Sequence, residues 1–179
     1  MSLVSGAQDG NRFKVAVGTG FGGYPILGPL FFLEPSYQPN KLLMISARIE
    51  GIIGPDLSES GTTGVGSYGI QVARFFTGDQ EPFKPFFGLG IHRYHLGTGM
   101  GMMNDASSSV TPQMGLNPRL GFHFRHLFMS VEYNYILPVT RTSYSIIPSP
   151  NPPVIYTETL HFNYLCVKIG VLLHAGKQQ

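Results

Sequence analysis

The chain has 179 residues, with 12 Lys and Arg against 10 Asp and Glu and a formal net charge of +2. Charged residues make up only 12% of it, about half the share of an ordinary soluble domain. That charge pattern excludes a disordered polyelectrolyte and gives no electrostatic basis for binding nucleic acid. The single cysteine, Cys166, excludes an internal disulfide framework and a cysteine-based zinc cluster.

The length fits one domain, residues 1–179, with its strands within about 12–175. No run approaches the ~18 apolar residues of a membrane helix. No apolar signal-peptide core follows Met1, so an exported protein would have had its signal removed from this chain.

Helical periodicity is nearly absent. Period-2 alternation recurs in segments of roughly ten residues separated by glycine, proline and polar clusters, which predicts strands. Eight are predicted, at about 12–24, 30–38, 42–53, 65–76, 83–95, 116–125, 127–137 and 160–173. In the first, Phe13, Val15, Val17 and Phe21 oppose Lys14, Ala16, Gly18 and Gly20. In the second, Phe31, Leu33, Pro35 and Tyr37 oppose Phe32, Glu34, Ser36 and Gln38. The third sets Ile45, Ala47 and Ile49 against Ser46, Arg48 and Glu50, and the fourth sets Tyr68, Ile70 and Val72 against Ser67, Gly69 and Gln71.

The second half continues the pattern. Phe87, Leu89 and Ile91 oppose Gly88, Gly90 and His92; Leu116, Leu120 and Phe122 oppose Asn117, Arg119, Gly121, His123 and Arg125. In the last two segments Val131, Tyr133 and Tyr135 oppose Ser130, Glu132 and Asn134, and Val167, Ile169 and Val171 oppose Cys166, Lys168 and Gly170. Short connections at 39–41, 77–82 and 126 alternate with longer ones at 24–29, 54–64, 96–115 and 138–159. This asymmetry belongs to a closed, eight-stranded, antiparallel up-and-down β-barrel of the transmembrane type.

Both soluble and membrane barrels alternate with period 2, but the compositions of their faces differ. Here the polar face is rich in glycine and poor in the Lys and Glu that would coat a solvated exterior. The other face is a band of Val, Ile, Leu and Phe. The polar face therefore reads as the interior and the apolar face as the lipid contact. An unpaired charge in a dry interior costs several kcal/mol. The inward Lys14, Glu34, Arg48, Glu50, Arg119, Arg125, Glu132 and Lys168 are thus expected to form an interior charge network with Glu132 at its centre. The alternative is that those other than the mid-strand Arg48, Arg119, Glu132 and Lys168 sit at the wet ends.

The alternating strands and the runs Phe86-Phe87-Gly88-Leu89-Gly90 and Val131-Glu132-Tyr133-Asn134-Tyr135 resemble small outer-membrane β-barrel proteins of Gram-negative bacteria, the broad class of the outer membrane protein A transmembrane domain. The resemblance covers about residues 12–175. It implies a monomeric barrel in a bacterial outer membrane, with membrane lipid as its surroundings and both termini on the periplasmic side.

Other chemistry finds less support. Gly18-Thr19-Gly20-Phe21-Gly22-Gly23 matches a dinucleotide fingerprint, but Pro25, Gly28 and Pro29 follow where a helix must begin, so no cofactor is expected. His92 and His123 face inward on neighbouring strands without a further carboxylate or thiolate, so no metal is expected. A lipid-modifying enzyme could be assembled from Ser143 or Ser145 with His161 and Glu158, without any motif that fixes the geometry. A soluble lipocalin-like barrel binding an apolar ligand is the other alternative. It requires Val17, Ile45, Leu89, Val131 and Val167 to point inward.

The expected role is therefore structural or interactive, with no catalysis and no wide pore. Loops 96–115 and 138–159 offer the surface for a partner.

Overall fold

The computed structural model describes residues 12–23, 27–55, 62–77, 82–98, 111–145 and 154–174. Glycine, proline and Asx-turn signals cut the alternating chain into ten strands: β1 (Phe13–Gly22), β2 (Gly28–Asn40), β3 (Leu43–Pro55), β4 (Thr62–Phe75), β5 (Phe83–Thr98), β6 (Thr111–Phe124), β7 (Leu127–Ile136), β8 (Val139–Ser145), β9 (Val154–Leu160) and β10 (Tyr164–His174). Eight of these close a barrel in the order β1-β10-β7-β6-β5-β4-β3-β2, and every neighbouring pair is antiparallel. Closure leaves no edge strand and so satisfies the backbone without water.

β8 and β9 are an addition to the expected eight strands. They form a separate two-stranded sheet that holds one register from Val139↔Leu160 to Ser145↔Val154. The sequence alone predicts a loop over 138–159 and a last strand that begins at 160. Leu160 instead ends the hairpin, and residues 161–163 separate it from β10, with Asn163 Oδ1 accepting the Ile136 amide at 2.9 Å. β5 and β6 also run further into the expected 96–115 loop, to Thr98 and from Thr111.

Tight turns gather at one end. Between β2 and β3, Asn40 Oδ1 accepts the Leu42 and Leu43 amides, both at 2.9 Å, an Asx turn. Between β6 and β7 the chain reverses through Arg125 and His126, and Arg125 takes a left-handed φ of 54°. The two longest connections, between β5 and β6 and between β7 and β10, the latter containing the β8–β9 hairpin, lie at the opposite end, here the loop end.

Burial follows parity. Along β2, Leu30, Phe32, Glu34 and Ser36 are buried while Phe31 and Leu33 are exposed; along β7, Phe128, Ser130, Glu132 and Asn134 are buried while Val131, Tyr133 and Tyr135 are exposed. Glycine makes room for the large inward groups. At the seam between β1 and β10, Gly18 faces Gly170. A Cβ on Gly18 would stand 2.8 Å from Phe32 Cζ, and one on Gly170 would stand 2.9 Å from the same atom. The Phe32 ring occupies the space these two positions leave open.

Prolines inside a closed barrel remove ladder donors. Pro35 stays paired with Val15 of β1, but the β2–β3 ladder skips from Leu33↔Ile49 to Ser36↔Ser46. Pro118 stays paired with Leu89 of β5, but the β6–β7 ladder skips from Leu116↔Tyr135 to Arg119↔Glu132. Pairing resumes in the same register each time, so each proline interrupts the ladder locally without shifting a face.

Candidate functional site: a charged cluster inside the barrel

Parity turns Glu34 of β2, Arg48 and Glu50 of β3, Arg119 of β6, Glu132 of β7 and Lys168 of β10 into the lumen, each no more than 5% exposed. Arg119 grips Glu34 with both terminal nitrogens, Nη1 to Oε2 at 2.9 Å and Nη2 to Oε1 at 2.8 Å, a bidentate pair. Arg48 donates from Nε to Glu34 at 3.1 Å and from Nη1 to Glu50 at 3.2 Å. It also donates from Nη1 to Glu132 and from Nη2 to Gln71. Lys168 donates to Glu132 at 2.7 Å and also to Glu50. Three cations thus meet three carboxylates, and the cluster is formally neutral.

Neutral groups take up the remaining valences. Ser46 donates to Glu34 at 2.7 Å, Ser130 to Glu132 at 2.7 Å, Asn117 to Glu132 at 3.3 Å and Tyr164 to Glu50 at 3.4 Å. Gln71 Nε2 donates to Asn117 Oδ1 at 2.8 Å, Asn117 Nδ2 to Asn134 Oδ1 at 2.8 Å, and Tyr94 Oη to the same oxygen at 2.7 Å. Aromatic rings pack against the cations: the Arg119 guanidinium lies 5.1 Å from the centroid of Phe86, and Lys168 Nζ lies 5.7 Å from that of Phe32. Two buried nitrogens, Arg119 Nε and His123 Nε2, have no hydrogen-bond partner among the described residues.

Six of the eight residues expected in the network therefore meet in one cluster. Lys14 is half-buried near the turn end and donates to Gln38 at 3.0 Å. Arg125 is a correction: it is exposed in the β6–β7 turn, its guanidinium 5.6 Å from the Phe124 ring centroid. Strand parity cannot extend to a residue that turns the chain. Gln71, Asn117, Asn134, Tyr94 and Tyr164 are not among the expected site residues. Parity places all five on the inner face, but no charge marks them.

The alternative chemistries are placed as follows. Among the described residues, no three His, Cys, Asp or Glu side chains are grouped to hold a metal. His92 and His123 do not meet: His92 is opposite Gly115 and His123 opposite Lys84, so about eight residues, or roughly 27 Å of strand, separate them along β6. His92 instead contacts Ser67 at 3.3 Å and Gln71 at 3.0 Å, and His123 lies among Phe75, Phe86 and Phe128. The glycine run 18–23 leads through β1 towards another strand, not into a helix.

The register places Ser143 opposite Tyr156 and Glu158 opposite Arg141, with His161 beyond the hairpin; the side chains of 143, 145 and 158 lie outside the described residues. Val17, Ile45, Leu89, Val131 and Val167 are 41–48% exposed on the outer face. That is the reverse of what a soluble ligand-carrying barrel requires.

The outer face is a continuous apolar belt around a buried polar lumen. Solved structures share this architecture. Neisserial surface protein A is 15% identical, with 92% of this chain and 97% of that one covered and a TM-score of 0.65. The N-terminal β-barrel domain of OprF from Pseudomonas aeruginosa is 8% identical, over 91% of this chain and 98% of that one, with a TM-score of 0.52. The chain folds as a small eight-stranded outer-membrane-type β-barrel.

Outer membrane protein AlkL, solved in DMPC lipid bilayers, matches over 100% of this chain and 97% of its own, with 9% identity and a TM-score of 0.53. No protein-family model matches the sequence, and no curated protein is detectably similar to it. Identities this low carry the fold alone.

Proposed function

We propose that this protein is an integral outer-membrane barrel, monomeric and non-catalytic, that closes its own lumen and presents its loop end to a partner. The observation that carries this reading is the inversion of the two faces: Ile49, Ile70, Ile91 and Leu120 are 57–65% exposed, while Arg48, Arg119, Glu132 and Lys168 are 1% exposed. In water that arrangement would solvate the wrong side, whereas in a bilayer the belt meets acyl chains. The neutral cluster and its aromatic neighbours fill a lumen that eight strands leave narrow.

The loop end supports an interactive role because it carries the two longest connections and the β8–β9 hairpin, whose outer edges pair with no other strand among the described residues. Loop residues 99–110 and 146–153 lie outside the described residues. The non-conducting part of the reading is tested in planar lipid bilayers with the refolded full chain. The expected record stays at the bilayer baseline. Sustained steps of porin size would show an open lumen and overturn the filled-barrel reading.

A further inference from the structure

The barrel's net positive charge is concentrated at its turn end. The luminal cluster is neutral, so it contributes nothing. Arg12, Lys14, Lys41, Arg74, Lys84 and Arg125 all belong to the turn end, and no carboxylate does among the described residues. The sequence adds Asp9 before β1, Asp79 and Glu81 in the β4–β5 connection and Lys177 after β10, which leaves seven Lys and Arg against three Asp and Glu. The loop end differs: its strands carry Arg93, Arg141 and Glu158, and its connecting segments add Asp56, Glu59 and Asp105.

Aromatic rings accompany the turn-end cations on the outside of the barrel. Phe13 and Tyr37 pack at 4.8 Å between centroids, Phe83 and Phe122 at 5.0 Å, and Phe76 is 63% exposed two residues beyond the exposed Arg74. Arg125 lies over Phe124, and Lys41 is exposed in the β2–β3 turn on the opposite side of the barrel. Rings that rest at the level of glycerol and ester groups place guanidinium and ammonium groups at the level of lipid phosphates. A guanidinium binds a phosphate with two parallel hydrogen bonds.

From this charge complementarity we infer that the turn-end rim is a binding surface for anionic phospholipid headgroups, with Lys41, Arg74 and Arg125 as the phosphate contacts. The inference rests on the membrane reading above and adds a lipid class and one side of the bilayer to it. Each basic group near an anionic lipid surface contributes roughly a fivefold preference, reduced by salt.

The test uses the full chain folded in dodecylphosphocholine micelles and titrated with phosphatidylglycerol or phosphatidylcholine, with retained lipid counted by native mass spectrometry. Wild-type barrel is expected to retain phosphatidylglycerol at least about tenfold over phosphatidylcholine. The variant Lys41→Gln/Arg74→Gln/Arg125→Gln should approach parity, while Arg93→Gln at the loop end keeps the preference. Equal retention of the two lipids by wild type, or loss of preference only in Arg93→Gln, overturns the inference. Displacement of the lipid by inorganic phosphate at equal concentration also overturns it, because the rim would then be reading free phosphate. Each protein's heat-dependent gel mobility reports folding separately. A chain that never folds in micelles contradicts the membrane reading itself, whereas a folded chain without lipid preference contradicts only this inference.

Discussion

Arg48→Ala is expected to lower the unfolding free energy of the micelle-folded barrel by about 3–5 kcal/mol, the range for removing one partner of a fully buried ion pair. Arg48 is the one cation bonded to all three buried carboxylates, Glu34, Glu50 and Glu132, and it also holds Gln71. Its loss leaves Arg119 and Lys168 facing three carboxylates without access to water. Arg48→Lys should recover only part of the loss, since an ammonium cannot span Glu34 on one side and Glu132 on the other as a planar fork does.

The double variant Arg48→Ala/Glu132→Ala restores neutrality. It should be less destabilised than the sum of its singles by about 1–3 kcal/mol. Urea titrations of the four proteins in micelles measure this cycle. Additive losses would mean that these side chains fill space without acting as a coupled network.

Leu89→Arg carries the second large effect. Leu89 is 48% exposed at mid-strand on β5, between Val72 of β4 and Pro118 of β6 on the outer face. At the midplane of a bilayer an outward arginine destabilises a barrel by about 2–4 kcal/mol, and the penalty falls to roughly 0–1 near the interface. Unfolding titrations in lipid vesicles should therefore show a large loss for Leu89→Arg and a small one for Phe76→Arg at the turn-end rim. An exposed leucine on a soluble barrel would tolerate arginine at both depths, so equal and negligible losses would contradict the lipid-facing assignment.

Much of this was readable from the chain because strand parity is a local property. The alternation through residues 43–50 fixes that Ile45 and Ile49 share one face and Arg48 and Glu50 the other, wherever the strand ends up. The poverty of charge on the glycine-rich face then decides that this face is the interior and not a solvated exterior. The pairing of the interior charges was not readable. Glu34 and Arg119 stand 85 residues apart and Glu50 and Lys168 stand 118 apart, and they meet only because closure brings β2, β3, β6 and β10 around one narrow lumen.

Neutral members such as Asn117 and Asn134 carry no signal beyond parity. Arg125 has an inward position in the alternation, but the reversal after Phe124 rotates it into the exposed turn. The β8–β9 hairpin was hidden because Pro148, Pro150, Pro152 and Pro153, at the centre of the stretch, read as a loop. The flanking segments 139–145 and 154–160 have the β-branched and aromatic residues that pair.

Whether the apolar belt faces lipid is decided by refolding the full chain with and without detergent micelles and comparing boiled with unboiled samples on an SDS gel. A heat-dependent mobility shift obtained only with detergent is the predicted result, because a closed barrel resists SDS until heated and needs an apolar solvent for its outer face. A monodisperse, strand-rich protein in plain buffer would contradict a lipid-facing belt, since the belt exposed in this structure would then have to be buried.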